Sequence, residues 1–334
     1  MRHMSLAKGF TSGIAVALSI SLMVFLGVHL TSAQGFESGS TSTGSTGSTT
    51  PPPTPTPGPF VPAGTTPTPV TPPQPTAPTA PATGTTYAAL GDSVAAGLGL
   101  PLSSPPNYND MQCGRSPQGY PAQVAKALGK TLLNVSCSGA TAGDLVTKQG
   151  VSGPNIPSQI SQAYANGAPG VISITAGAND MQWATIIKKC YATDCGTATD
   201  TTLVNAALVA LQAKLYAVFG DISLRSVGTT PPKVLITGYY NPLSAQCANI
   251  APQQLNADEV VWATSVSNAL NQTIKDVATK FSYATYVPID FTGHDLCSAN
   301  SWVQSAQEAA PVHPNAAGQA AIAQAVIQAA GKRN

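Results

Sequence analysis

Four short segments carry residue types that together can perform acyl transfer. Ser93 follows a β-prone run and lies among glycines and alanines. A serine hydroxyl is a weak nucleophile at neutral pH, so it needs a base within hydrogen-bond reach and donors for the oxyanion that its attack creates. His313 is the candidate base. The N–H groups of Ser93 and Gly139 and the side-chain amide of Asn179 are the candidate oxyanion donors.

The two histidines outside the N-terminal segment differ in setting. His313 stands in a rigid loop directly before the last helical segment, with Pro314 beside it and Asn315 as a suitable helix cap. His294 lies close to Cys297, and we expect it to be structural or at the rim of the site. The sequence therefore favours His313 as the general base, with His294 as the alternative.

Strands and helices alternate along the chain and predict how these residues meet. We predict strands at 86–90, 131–135, 171–175, 233–238 and 283–289, and helices at 120–129, 201–219, 257–281 and 315–330. This alternation predicts an α/β fold, a parallel sheet covered on both faces. Ligands gather beyond the carboxyl ends of such strands. Ser93, Gly139 and Asn179 each follow a different predicted strand, which is the reason to group them.

Composition limits the classes of function. Only 9% of the 334 residues are charged and the net charge is +1, so the chain has no basic footprint for nucleic acid. Residues 1–33 combine a basic start, an apolar run and small residues, which predicts a cleaved secretory signal or an uncleaved anchor. Residues 34–85 are rich in Ser, Thr, Pro and Gly and predict a disordered linker. Residues 86–334 are then the folded domain.

The folded region contains all six cysteines of the chain. An even count in an exported chain predicts disulfides, although sequence alone leaves many connectivities open. Pairing neighbours in sequence joins Cys113 to Cys137, Cys190 to Cys195, and Cys247 to Cys297. A zinc site is the competing interpretation. It is disfavoured because the chain has no C-x-x-C pair.

The set resembles the SGNH hydrolases, also called the GDSL esterase/lipase family. The matching segments, in the family's order, are Gly91-Asp92-Ser93, Gly139, Gly177-Ala178-Asn179-Asp180 and His313-Pro314. The resemblance implies a flavodoxin-like three-layer fold with a five-stranded parallel sheet, and ester hydrolysis through an acyl-enzyme without metal or organic cofactor. It also implies that Ser93 is the nucleophile, His313 the base, and Gly139 and Asn179 oxyanion donors. Within the family, the chain is most similar to secreted actinobacterial-type esterases and lipases, which carry three consecutively paired disulfides.

One position departs from the family pattern. The family usually places Asp three residues before the histidine, and this chain has Ala310. Some family members use a backbone carbonyl there, which makes a Ser–His dyad. We therefore predict that the Ala310 carbonyl orients His313, with the carboxylates of Glu308, Asp290 and Asp295 as alternatives. We expect Asp92 and Asp180 to brace their loops.

These observations predict a secreted, monomeric serine esterase or lipase. Its substrate would be a small-molecule, lipid or acylated-glycan ester, with an acyl-chain preference that the sequence leaves open. The linker would allow tethering to a cell wall or membrane. The alternative is a non-catalytic, stalked surface module that binds glycans. A cysteine hydrolase is disfavoured because an even cysteine count leaves no thiol over.

Overall fold

A computed structural model describes residues 84–149, 156–249 and 255–331. The predicted signal segment (1–33) and almost all of the predicted linker (34–85) lie outside the described residues. The limits proposed for these two segments therefore stay predictions. All of the candidate site residues belong to the described part of the chain.

Five parallel strands form one sheet in the order β2-β1-β3-β4-β5. The strands are β1 (Thr86–Gly91), β2 (Thr131–Asn134), β3 (Val171–Thr175), β4 (Lys233–Thr237) and β5 (Ala284–Val287). The chain leaves β1 toward β2 on one side and returns to β3 on the other, so the strand order reverses at β1. A crevice forms at such a switch point, outside the carboxyl ends of the strands.

Helices cover both faces of the sheet, which gives the three-layer α/β arrangement. Within the described residues these are α1 (Ser93–Ala96), α2 (Tyr108–Cys113), α3 (Tyr120–Leu128), α4 (Ala142–Val146), α5 (Gln159–Ala163), α6 (Trp183–Ala192), α7 (Ala198–Arg225), α8 (Ala257–Ala278) and α9 (Ala316–Gly331). A short 3₁₀ helix spans Ala245–Cys247. Helices α3 and α9 pack together, as do α4, α7 and α8. The predicted α/β fold is confirmed, and the short helices α2, α5 and α6 lie between the elements predicted from the sequence.

The longest helix, α7, shows why the sequence folds in this way. It begins at a capping box in which Thr197 and Asp200 satisfy each other's backbone N–H groups. One face then carries the buried side chains Val204, Leu208, Leu211, Leu215, Val218, Phe219 and Ile222. By length and a mean hydropathy of 1.5, α7 is the one described helix that could cross a membrane. This apolar face packs into the core, which explains the high hydropathy of α7.

Three disulfides tie the loops to this frame. They join Cys113 to Cys137, Cys190 to Cys195, and Cys247 to Cys297, which is the pairing of neighbours in sequence. The first links the end of α2 to the loop that carries Gly139. All six cysteines are described and none is free. No cysteine is therefore available as the thiolate nucleophile of a cysteine hydrolase.

Gly91, the last residue of β1, fixes how the chain enters the Ser93 turn. Its φ is +130°, and a Cβ at this position would lie 2.1 Å from the carbonyl oxygen of Thr175. The side chain of Gln159 brackets the same residue, because its Oε1 accepts the Gly91 N–H and its Nε2 donates to the Gly91 carbonyl. Only glycine allows β1 and β3 to approach this closely.

We predict that Gly91→Ala lowers the free energy of unfolding by about 3–5 kcal/mol, because backbone must move to admit the Cβ at a φ unsuited to alanine. The matched control is Gly220→Ala in α7, where a Cβ would meet nothing within 4 Å. It should raise stability by about 0.5–1 kcal/mol, since alanine is the better helix former. Denaturant unfolding measures both. A Gly91→Ala protein as stable as the unmodified chain would contradict the argument.

Candidate active site

Ser93 and His313 meet at the carboxyl edge of the sheet. Ser93 is the first residue of α1, and Asp92 caps this helix by accepting the Val94 N–H at 2.9 Å. The Ser93 hydroxyl lies 2.8 Å from Nε2 of His313, although the two residues are 220 positions apart. Nucleophile and base are thus in hydrogen-bond contact, which is the arrangement that activates a serine.

Buried glutamines hold the backbone around this pair. Gln319 of α9 donates to the Val94 carbonyl and accepts the Tyr120 N–H. Gln304 donates to the carbonyls of Leu98 and Pro314 and accepts the Ala310 N–H. No sequence pattern pointed to either glutamine.

The carbonyl that contacts the imidazole differs from the predicted one. Nδ1 of His313 lies 3.0 Å from the carbonyl oxygen of Pro311, whereas the Ala310 carbonyl accepts the backbone N–H of His313 at 3.2 Å. These residues form a β-turn with Pro311 and Val312 at its centre, and Val312 has a φ of +69°. A positive φ at the third position turns the preceding peptide, so the Pro311 carbonyl faces the ring. The contact nearest Nδ1 is therefore made by the residue after the predicted Ala310, whose own carbonyl also favours the protonated ring.

Val312 stores strain beside the base. A β-branched residue at positive φ costs about 1–3 kcal/mol and persists only where its surroundings hold it. Here the Val312 N–H donates to the Gln304 carbonyl at 2.9 Å, and the Tyr240 hydroxyl donates to the Val312 carbonyl at 2.6 Å. Tyr240 in turn stacks on Phe291. The turn that carries His313 is thus fixed from both sides.

Burial lowers the pKa of the half-buried His313 imidazole below its ordinary value, and the carbonyls of Pro311 and Ala310 partly oppose this shift. The ring is therefore neutral at pH 7 and able to accept a proton. The alternative base, His294, stacks on Trp302 at 3.7 Å and contacts the Asn300 carbonyl instead.

The carboxylates considered as orienting groups are engaged elsewhere. Glu308 accepts the Ser305 N–H, and Asp290 accepts the Thr292 N–H. Asp295 accepts from Cys297 and Ser298. Asp295, Cys247 and Cys297 form a cluster of possible metal ligands, but both sulfurs belong to one disulfide.

The candidate oxyanion donors lie on adjoining loops. The Cys137 N–H donates to the Gly91 carbonyl at 2.9 Å, which brings the Gly139 loop against the end of β1. The Asn179 amide donates to the Ala140 carbonyl at 2.8 Å, directly beside Gly139. Within the described part of the chain, the N–H groups of Ser93 and Gly139 have no protein acceptor. Unpaired N–H groups next to a nucleophile are available to an oxyanion.

Asp180 braces the same two loops. One of its carboxylate oxygens accepts the Ala142 N–H at 2.8 Å, and the other pairs with Lys214 at 2.7 Å. The carboxylate thereby joins the loop after β3 to α4 and α7. It has no contact with Ser93 or His313, so its role here is in positioning.

A cavity of about 240 Å³ begins directly after Asn179. Asp180, Met181 and Gln182 form one wall, and apolar residues of α6, α7 and α8, among them Ile186, Leu203, Val204 and Trp262, form the rest. A second cavity of about 620 Å³ lies between α8 and the loops that follow β4 and β5. Neither is lined by Ser93 or His313.

Comparison with known proteins identifies the family to which this chain belongs. Residues 89–321 match the GDSL-like Lipase/Acylhydrolase family. The chain belongs to this family. The match spans every candidate residue of the site, from Ser93 to His313. As a member of the GDSL-like lipases and acylhydrolases, the protein is a carboxylic ester hydrolase.

Individual relatives agree with this assignment. The chain is 29% identical over 267 residues to Lipase 2 of Streptomyces coelicolor, covering 73% of this chain and 85% of the relative. It resembles the crystal structure of phospholipase A1 from Streptomyces albidoflavus, with 27% identity, a TM-score of 0.56, and 74% and 99% coverage. The crystal structure of the extracellular lipase from Streptomyces rimosus shares the fold, with 23% identity, a TM-score of 0.58 and the same coverage.

We predict that His313 titrates below pH 6.5, because burial disfavours the imidazolium and no carboxylate faces the ring in the described structure. NMR of the histidine ring protons against pH measures this value, with His313→Gln assigning the resonance among the four histidines. A midpoint above that of a free histidine would contradict the argument that burial dominates at this ring.

Proposed function

We propose that this protein is an exported serine ester hydrolase that acts through an acyl-serine intermediate, with Ser93 and His313 as a catalytic dyad. The hydrogen bond of 2.8 Å between the Ser93 hydroxyl and Nε2 of His313 carries the proposal. The two unpaired N–H groups beside it and the Asn179 amide support it, because they supply the donors that a tetrahedral intermediate requires.

In acylation, the Ser93 hydroxyl attacks the acyl carbon while Nε2 of His313 takes its proton. The carbonyl oxygen becomes an oxyanion, which accepts hydrogen bonds from the N–H groups of Ser93 and Gly139 and from the amide of Asn179. The intermediate then collapses as His313 returns the proton to the departing alcohol oxygen. This leaves the acyl group on Ser93 and the imidazole neutral.

Deacylation repeats these steps with water. His313 takes a proton from the water molecule, whose oxygen attacks the acyl carbon, and the same donors hold the second oxyanion. Collapse of this intermediate breaks the bond to the Ser93 oxygen, which receives the proton from His313. The products are a carboxylic acid and the free enzyme.

The Pro311 carbonyl performs the orienting part of the task that an aspartate performs in a triad. It accepts from Nδ1–H, which leaves Nε2 as the acceptor for the Ser93 proton. A neutral carbonyl stabilises the imidazolium less than a carboxylate does. We propose that the fixed turn around Val312 compensates by holding the ring in place.

We propose a carboxylic ester of the lipid class as the substrate. The names of the relatives, a lipase and a phospholipase A1, favour lipid esters over acylated glycans. Export rests on the predicted signal in residues 1–33 and on the extracellular lipase to which the structure is similar. The linker at 34–85 would then separate the hydrolase domain from its point of attachment.

We predict that Ser93→Ala lowers kcat toward p-nitrophenyl butyrate by about 10⁴-fold or more, because it removes the nucleophile. The same variant should lose labelling by a fluorescent fluorophosphonate. Ser265→Ala is the matched control, because the Ser265 hydroxyl donates to the Trp262 carbonyl within α8. The control should keep full activity and labelling.

Retention of full activity by Ser93→Ala would refute the dyad. An unmodified protein that is neither labelled nor active would favour the alternative of a non-catalytic glycan-binding module. A panel of acyl esters from acetate to palmitate, with a phospholipid and acetylated xylan, then distinguishes lipid esters from acylated glycans.

A further inference from the structure

Tyr239, which follows β4, links two of the loops that carry the proposed catalytic groups. Its hydroxyl donates to the Asp92 carboxylate at 2.5 Å and accepts the Ala178 N–H at 3.2 Å. Asp92 directly precedes Ser93, and Ala178 directly precedes Asn179. A single hydroxyl thus connects the nucleophile turn to the loop of the oxyanion amide.

The Asp92 residue is 1% exposed, and its two carboxylate oxygens have different partners. One oxygen accepts the Val94 N–H at 2.9 Å, and the other accepts the Tyr239 hydroxyl. A carboxylate can accept both bonds, whereas a protonated carboxyl must present a donor at one oxygen. Protonation therefore changes the bonding of the turn that holds Ser93.

Tyr239 is itself held in place by α8. The side chain of Asn271 accepts the Tyr239 N–H and donates to the Tyr239 carbonyl, both at 2.7 Å. The Asn271 amide packs closely here, since a Cβ on the preceding Gly238 would lie 2.3 Å from the Tyr286 hydroxyl and 2.8 Å from Oδ1 of Asn271. Asn271 therefore holds the backbone of Tyr239, and the Tyr239 hydroxyl bonds Asp92.

We propose that Tyr239 and Asp92 are positioning residues for ester hydrolysis: the Tyr239 hydroxyl holds the ionised Asp92 carboxylate, and this pair keeps the Ser93 turn aligned with the Asn179 loop. The proposal rests on the proposed function, since it requires Ser93 to be the nucleophile. It assigns Asp92 a role in which its charge matters, beyond capping α1. Activity should then fall when Asp92 takes up a proton.

Burial raises the pKa of Asp92 to about 7, and the bonds from Tyr239 and Val94 partly oppose this shift. The charge of Asp180 also raises it. The ionisable groups around Asp92 are Tyr120, Tyr239, Tyr240, Asp180 with its partner Lys214, and His313 across Ser93. Burial raises the pKa of all three phenols, that of Tyr120 to about 12. The phenols are therefore neutral near pH 7.

The pH dependence reflects two requirements. His313 must be neutral, which holds above its lowered pKa, and Asp92 must be ionised, which holds above about pH 7. The higher value sets the acid limb. The unmodified enzyme should therefore lose kcat as the pH falls through about 7, above the pH at which NMR records the titration of His313.

Two variants test this proposal. For each, kcat toward a short-chain ester is measured from pH 5 to 9, and the product in quenched samples is quantified by chromatography. Asp92→Asn should lower kcat about 10-fold and move the acid midpoint down to the His313 value, because no carboxyl remains to titrate. Tyr239→Phe should lower kcat about 10-fold and move the midpoint upward, because it removes a bond that favours the carboxylate. A purely structural role would leave both midpoints unchanged.

Tyr283→Phe is the matched control. Its hydroxyl donates to the Phe219 carbonyl in the core, so its loss should leave the midpoint unchanged. An unshifted midpoint in Tyr239→Phe, or in a folded Asp92→Asn, overturns the positioning role. If Asp92→Asn does not fold, the direction of the Tyr239→Phe shift decides alone. Ser93→Ala separates the two hypotheses. Full activity of Ser93→Ala would refute the proposed function. If Ser93→Ala is inactive but the midpoints of Tyr239→Phe and Asp92→Asn are unshifted, only this inference is refuted.

Discussion

The hydrogen bond between the Ser93 hydroxyl and Nε2 of His313 is the contact on which the rest of the site depends. It spans 220 positions of sequence and 2.8 Å of space. Its two residues lie on short turns at the carboxyl edge of the sheet, where no regular ladder holds them. The surrounding structure must therefore supply the rigidity, and it does so mainly with buried polar side chains bonded to backbone.

These side chains act in the same way at each turn. Gln159 brackets Gly91, Gln319 holds Val94, and Gln304 holds the turn that precedes His313. A buried amide can donate and accept at once, so it satisfies two backbone groups that the turns leave unpaired. Tyr239 and Tyr240 use their hydroxyls to the same end. Strain at Val312 is tolerated because its N–H and carbonyl are both bonded in this way.

Burial shifts the pKa values of His313 and Asp92 in opposite directions. Burial without a facing carboxylate lowers the pKa of His313, and burial beside a second acid raises that of Asp92. The two shifts have opposite signs because desolvation disfavours the charged form of each group. A carbonyl as the orienting group fits this balance, because it fixes the imidazole without adding a further buried charge.

The amino-acid sequence by itself predicted the α/β alternation, the grouping of Ser93, Gly139 and Asn179 at strand ends, and His313 rather than His294 as the base. Each depends on local pattern or chain order, which sequence records directly. Only the tertiary structure decided which group faces Nδ1, since Ala310 and Pro311 differ by one peptide whose direction depends on φ of Val312. It alone identified Tyr239, Tyr240 and the bracketing glutamines, because their partners are distant in sequence. These side chains have a positioning role only once the fold brings their distant backbone partners within hydrogen-bond distance.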